Sequence, residues 1–281
     1  MPAMHIYEAL AQAQLAGVQR LDAQRLLQHL LQQDRAWLLA HDDHKLNDAQ
    51  TGAWSALLTR RASGEPLAYL TGEREFHGLS LQVSPAVLVP RPDTETLVGW
   101  ALELLAGPLA TNTAPQVADL GTGSGAIALA VKHACPRAEV RASDASTDAL
   151  AIARHNGQRL GLHITWLHGS WWQAYGPPRL NLALSNPPYI AAGDPHLPAL
   201  RHEPLSALVP PGGDGLASLA AIIHSAGTCL AQDAWLLLEH GFDQADAVAA
   251  LLQAAGFVAV QHRYDLGGHR RCTGGRWPYA T

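Results

Sequence analysis

Along the first seventy residues, apolar positions recur at helical spacing between short polar residues suited to helix starts. Leu26, Leu27, Leu30 and Leu31 share one face of a segment that follows Asp22. Asp34 precedes Arg-Ala-Trp-Leu-Leu, and Asn47 opens a segment carrying Trp54, Leu57 and Leu58. A side-chain oxygen at each of these starts can accept a backbone N–H of the first turn, so the pattern predicts a small helical bundle over residues 1–72. The period then falls to two. Leu79, Leu81 and Val83 alternate with polar residues, and His77-Gly78 supplies the tight turn of a β-hairpin. Pro85, Pro90 and Pro92 follow, making 73–90 a hairpin linker, after which Asp93-Thr-Glu-Thr is expected to cap a helix bearing Leu97, Val98 and Leu102.

From Gln116 onward, short apolar runs alternate with longer amphipathic ones. Strands are expected at 117–120, 139–143, 164–167, 180–184, 234–238 and 258–263, and helices at 127–133, 147–160, 216–230 and 244–255. That order calls for an α/β domain over 91–281, a mostly parallel sheet with helices on both faces.

Composition narrows the partners. Of 281 residues, 48% are hydrophobic and 15% charged, which excludes a disordered chain. The net charge is −5, with −2 in residues 1–85 and −3 in the remainder, so neither part carries the basic surplus expected of a protein that grips a duplex. Cys135, Cys229 and Cys272 are odd in number and far apart, which suggests neither a disulfide framework nor a cysteine zinc site. The opening Met1-Pro-Ala-Met-His5 has no basic stretch leading into an apolar one, and no run approaches the roughly 18 apolar residues of a membrane span. A soluble cytoplasmic protein is expected. His41-Asp-Asp-His44 has metal-ligand residue types but sits between helices, where a solvated loop is the better reading, so no metal site is expected.

Two motifs carry chemistry. Val117-Ala-Asp-Leu-Gly-Thr-Gly-Ser-Gly-Ala-Ile127 is a strand, a turn with Gly121, Gly123 and Gly125, and a helix start. Three glycines in five residues let the backbone approach a ligand closely. Asp144, at the end of the next strand, can accept from both hydroxyls of a ribose, a geometry that serves NAD and S-adenosylmethionine alike. Asp119 favours the second, because a carboxylate just before the glycines suits the amino end of a methionine moiety and sits poorly beside a pyrophosphate. The other motif, Asn186-Pro187-Pro188-Tyr189, ends a buried strand at the carboxyl edge of the sheet. The prolines fix the backbone, and the Asn186 side-chain oxygen and Pro187 carbonyl can accept two N–H bonds from a planar, delocalised nitrogen. Tyr189 can lie against its flat face.

Together these motifs resemble the S-adenosylmethionine-dependent amino-methyltransferases, and specifically the protein-(glutamine-N5) methyltransferases that modify the Gly-Gly-Gln motif of peptide chain release factors. The resemblance also takes in Arg74-Glu-Phe-His, Val89-Pro-Arg-Pro-Asp-Thr-Glu95, Arg201-His-Glu-Pro-Leu-Ser-Ala-Leu208 and Leu236-Leu-Leu-Glu-His-Gly241. It implies a Rossmann-like class I domain with a seven-stranded sheet and a helical domain that recognises the release factor. It also implies S-adenosylmethionine as cofactor, contacted by Asp119, Gly121, Thr122, Gly123, Ser124, Gly125, Asp144, Trp171 and Asn186. Asn186, Pro187, Pro188 and Tyr189 would hold the glutamine, with Asn186, Pro187 and Tyr189 catalytic. Ser170 departs from the pattern, since family members often carry an acidic residue there. A ribosomal-protein glutamine methyltransferase and a DNA or RNA amino-methyltransferase are the alternatives. No stable nucleic-acid or membrane partner is expected, and the chain should be monomeric.

Overall fold

The computed structural model describes residues 4–176 and 179–278; the Met1-Pro-Ala opening lies outside them. The chain separates into two compact units, Met1–Glu73 and Arg74–Thr281.

The first unit is helical: α1 Ile6–Leu15, α2 Arg20–Leu31, α3 Arg35–Ala40, α4 Asp48–Ala62 and α5 Leu67–Thr71. Leu26, Leu27, Trp54 and Leu58 are buried together in its core, with Leu30, Leu31 and Leu57 packed at the margin. Asp34 accepts from the Trp37 N–H at 2.7 Å and Asn47 from that of Gln50 at 2.8 Å, each capping its helix. Asp22 does not cap α2. The helix begins two residues earlier, and Asp22 lies in its first turn, where it pairs with Arg61.

A hairpin follows, β1 Glu73–Phe76 and β2 Leu79–Gln82, which from Arg74 onward belongs to the second unit; its turn places both His77 and Gly78 at positive φ. Phe76, Leu79 and Leu81 are buried in the core of this unit. Asn156 ties the hairpin down, accepting from the Gln82 N–H and donating to the carbonyls of Gln82 and Ser124. The helix after the prolines is α6 Glu95–Ala106, preceded by a 3₁₀ turn, Pro92–Thr94. Its expected side-chain cap is absent. Thr94 instead turns inward, and Glu95 accepts from the His77 N–H.

Seven strands form the sheet: β3 Gln116–Leu120, β4 Glu139–Asp144, β5 Thr165–His168, β6 Leu180–Ser185, β7 Leu230–Glu239, β8 Val258–Tyr264 and β9 Arg270–Arg276, in the order β5-β4-β3-β6-β7-β9-β8. Among the described residues, β9 is the strand that runs against the other six, pairing antiparallel with β7 and β8. The helices α7 Ala126–Ala134, α8 Thr147–Leu160, α9 Ala217–Ser225 and α10 Ala245–Ala254 complete the unit. Alternation along the strands makes two cores: Val117, Leu182, Leu184 and Leu237 face one side, and Ala118, Leu120, Ala183, Leu236 and Leu238 the other.

Two expectations need correction. The helix expected over 216–230 stops at Ser225, and Leu230 already belongs to β7, which buries Leu230 in the sheet core. The seventh strand, β9, has no alternating pattern to announce it. It holds Gly274 because a Cβ there would meet Trp100 at 2.8 Å and the Leu236 carbonyl at 2.7 Å.

Candidate functional site

The carboxyl ends of β3, β4 and β6 converge on a cavity of about 520 Å³, a size typical of sites for cofactor-sized molecules. Gly121, Thr122, Gly123, Ser124, Asp144 and Trp171 line it, as do Asn186 and Pro188. Gly121 and Gly123 hold φ of 74° and 56°, and a Cβ on Gly121 would stand 3.1 Å from the Trp171 ring. Glycine is therefore required there both by conformation and by the close approach of the indole. Asp144 is held in place by two backbone donors: Gly123 N–H reaches Oδ2 at 2.9 Å and Ser146 N–H reaches Oδ1 at 2.8 Å. Each oxygen keeps a lone pair for a ligand hydroxyl. Ser170 also faces the cavity, while Trp172 is buried and donates to the Ile222 carbonyl.

Two of the expected cofactor residues lie elsewhere. Gly125, at φ 85°, starts α7; a Cβ there would strike Leu129 and Trp166 at 3.1 Å, so packing accounts for it. Asp119 is fully buried beneath the loop and does not line the cavity. Its Oδ2 accepts from the Thr122 hydroxyl at 2.6 Å and the Ala128 N–H at 3.2 Å, whereas Oδ1 has no partner among the described residues. Burial pushes this carboxyl up to about 7, against the pull of the Thr122 hydroxyl.

A second cavity of about 230 Å³ adjoins the first, lined by Pro187, Tyr189, Ile190, Leu200 and Leu208. Asn186, Leu88, Arg91 and Ala207 line both, so Asn186 stands where the two meet. Its Nδ2 donates to the Thr94 hydroxyl at 3.1 Å. The Tyr189 carbonyl accepts from Gln244 Nε2 at 3.0 Å, and its hydroxyl donates to Glu239 at 3.4 Å. Burial pushes the Tyr189 phenol up and keeps it neutral. Glu239, 1% exposed at the end of β7, is raised by burial to about 7, with the Thr94 hydroxyl and Arg271 pulling the other way.

Arg91 pairs with Glu203, which also accepts from the Val89 N–H at 3.0 Å. This one carboxylate therefore ties the proline-rich entry to the loop that walls the smaller cavity. Thr94, Asn156, Glu203, Glu239 and Gln244 were not singled out by chemistry in the sequence. Glu203 and Glu239 stand out only by their place inside runs belonging to the resemblance, and Thr94 by that and by its place in the expected helix cap.

Residues 4–72 match the family described as PrmC N-terminal domain, and residues 97–202 the methyltransferase small domain. The chain is 49% identical over 262 residues to the release factor glutamine methyltransferase of Bordetella pertussis, covering 92% of this chain and 95% of that one. This chain belongs to the release factor glutamine methyltransferase family. Other members of the family include the proteins of Xylella fastidiosa, 48% identical over 96% of this chain and 98% of that one, and of Escherichia coli, 42% identical over 96% of each. Solved structures share the fold at lower identity. The hMettl16 catalytic domain aligns with a TM-score of 0.58 at 16% identity, covering 88% of this chain and 93% of that one. A methyltransferase from Pyrococcus furiosus aligns at 0.52 and 15%, covering 72% and 90%. The seven-stranded class I methyltransferase fold expected of the family is the one observed. No helix among the described residues is long and apolar enough to cross a membrane.

Proposed function

We propose that this chain transfers a methyl group from S-adenosylmethionine to the side-chain amide nitrogen of the glutamine in the Gly-Gly-Gln motif of a peptide chain release factor. The observation that carries the reading is the position of Asn186 at the junction of a cofactor-sized cavity and a smaller one lined by Pro187 and Tyr189 of its tetrapeptide. Family membership over nearly the whole chain supports the same substrate.

The residues of the larger cavity fit the cofactor. Asp144 offers two pre-oriented acceptors for ribose hydroxyls, Gly121 and Gly123 leave backbone open, and Trp171 provides a flat apolar wall. Asp119 holds the loop from below, accepting from the Thr122 hydroxyl and the Ala128 N–H. Ser170 offers a hydroxyl where relatives often present a carboxylate, and Gly125 contributes through packing.

Bound S-adenosylmethionine supplies an electrophilic methyl group on its sulfonium. An amide nitrogen is a weak nucleophile because its lone pair is delocalised into the carbonyl, so the protein's task is orientation and charge stabilisation. Asn186 Oδ1 and the Pro187 carbonyl accept the two N–H bonds of the substrate amide, fixing the nitrogen and stabilising the positive charge it gains as the methyl arrives. Pro187 and Pro188 hold those acceptors rigid, and the neutral Tyr189 ring lies against the amide plane. One proton leaves the nitrogen after transfer, so no strong base is needed beforehand.

Residues 1–72 would recognise the folded release factor, 73–90 link, and 91–281 perform transfer. The charge of −5 favours a protein over a nucleic-acid partner, and three cysteines without a disulfide suit a reducing cytoplasm. Labelled S-adenosylmethionine should be incubated with a release factor, the same factor with its Gly-Gly-Gln glutamine replaced, a ribosomal protein and bare RNA. Label is expected on the first alone; label on the replaced factor or on RNA would overturn the reading.

A further inference from the structure

Glu239 lines neither cavity, yet it is buried to 1% exposure with Oε2 lacking a hydrogen-bond partner among the described residues. A carboxylate kept so deep without full satisfaction is costly, and such a group calls for an explanation. Ion pairing does not give one. The nearby Arg271 is paired with Asp93 at 3.3 Å and Asp265 at 3.0 Å. Its hydrogen bond among the described residues comes from the Tyr189 hydroxyl at 3.4 Å, and the nearby Thr94 hydroxyl favours its charged form.

Strand register explains the meeting. In the parallel pair β6·β7, Ser185 stands opposite Leu238, which puts the next residues, Asn186 and Glu239, side by side at the sheet's carboxyl edge. Thr94 comes from the turn before α6 and accepts from Asn186 Nδ2 at 3.1 Å. Three sequence runs far apart in the chain thus converge on Asn186.

The chemistry of the Thr94 hydroxyl matters because an Asn amide has one accepting and one donating end of nearly equal shape. A threonine hydroxyl can serve either end, so Thr94 alone does not decide which way Asn186 faces. An ionised carboxylate, unlike a hydroxyl, acts only as an acceptor. We propose that Glu239 and Thr94 are positioning residues for methyl transfer: Glu239 draws the Thr94 hydrogen, Thr94 can then only accept from Asn186 Nδ2, and the Asn186 oxygen is turned toward the substrate amide. Without them Asn186 can present its NH₂ to the substrate's own N–H groups, donor against donor, and only the correctly turned fraction is competent. The inference rests on the reading of Asn186 as the acceptor for the substrate amide.

The test compares single-turnover methyl transfer to a release factor with cofactor Kd measured by calorimetry. Thr94→Val and Glu239→Ala are expected to slow transfer by on the order of 10- to 100-fold, with cofactor Kd changed by no more than about twofold. Thr94→Ser, which restores the hydroxyl, should recover the rate to within about threefold. Glu239→Gln, whose amide oxygen can accept the Thr94 hydrogen, should fall between wild type and Glu239→Ala. In an Asn186→Ala background, Thr94→Val should cost nothing further, since its effect passes through Asn186. Wild-type transfer by Thr94→Val, an additive loss on top of Asn186→Ala, or a loss of cofactor affinity in step with rate would each overturn the inference. Should Glu239→Ala fail to fold, the two Thr94 variants and the double variant carry the test. If Asn186→Ala itself transfers normally, the reading of Asn186 fails instead.

Discussion

The glycine loop and the Asn-Pro-Pro-Tyr turn sit at neighbouring strand ends, but they are braced from different distances along the chain. Thr122 reaches Asp119 three residues away, Ala128 reaches the same carboxylate from nine, and Gly123 meets Asp144 at a separation of 21. The tetrapeptide leans on Thr94, Glu239 and Gln244, at separations of 92, 50 and 55 residues. A strand–turn–helix segment therefore makes much of the loop by itself, while the turn takes its geometry from the packing of the whole domain. Lesions in the loop should register first in cofactor affinity, and lesions around the turn in the rate of transfer.

The sharpest way to break that comparison is Asn186→Ala. Removing the acceptor that orients the substrate amide should lower kcat by on the order of 10²- to 10³-fold, the scale seen when one pre-organised hydrogen-bonding group is lost. Cofactor Kd, measured by calorimetry, should stay near wild type, because Asp144, Gly121 and Trp171 are untouched. Equal losses in both quantities would mean that the two halves of the cleft are not separable.

Next comes pH, through Asp119. Its carboxyl is raised by burial from 3.8 to about 7, so between those values the folded chain holds a proton that the unfolded chain has released. The stability it contributes is whole below the unfolded value and is lost as pH rises to about 7. Urea unfolding of the cofactor-free protein at about pH 5 and about pH 8 should show wild type losing on the order of 1–3 kcal/mol more than Asp119→Asn across that interval. The difference between the two proteins is what matters, since Glu239, raised to about 7, falls in the same direction and His240, lowered by burial to about 4, in the opposite one. A wild-type loss no larger than that of Asp119→Asn would show that the space under the loop is wetter than its burial implies.

The same contrast decides which features the sequence makes legible on its own. The glycine loop, Asp144 and the tetrapeptide were legible because residue type and short spacing specify them, and the parallel sheet was legible because its strands are short apolar runs between helices. Strand β9 was not: Arg-Arg-Cys-Thr-Gly-Gly-Arg has no apolar alternation, and its Gly274 is dictated by Trp100 pressing on it from another element. Asp93-Thr-Glu-Thr looked like a helix cap, but a tertiary partner, Asn186, claimed the Thr94 hydroxyl. Asp119 was legible as a residue of the loop; its place beneath the loop rather than on the cavity wall depends on burial, which no spacing reveals.

On the loop side, Gly121→Ala tests the close approach. The new Cβ would stand 3.1 Å from the Trp171 ring at a φ of 74°, so either the indole or the loop must shift. A loss of stability of about 1–2 kcal/mol is expected in thermal or urea unfolding, together with weaker cofactor binding and a kcat at saturating cofactor close to wild type. A fall in kcat with unchanged Kd would reverse the assignment of the two sides.

The smallest effect is expected from Tyr189→Phe, and it asks what the far-reaching contacts of the turn contribute one by one. The Tyr189 hydroxyl meets Glu239 at 3.4 Å, near the outer limit of a hydrogen bond, whereas the Tyr189 carbonyl is held by Gln244 at 3.0 Å and the backbone by two preceding prolines. Phenylalanine keeps the ring, the backbone hold and the flat face offered to the amide, and it gives up only the long bond. Stability should change by less than about 1 kcal/mol, and transfer should slow by no more than about threefold. Tyr189→Ala, which removes the ring, should slow transfer far more, with the difference in kcat rather than in cofactor Kd. If phenylalanine proved as damaging as alanine, the hydroxyl rather than the ring would be the part of Tyr189 that matters, and the bond to Glu239 would have to shorten when the release factor binds.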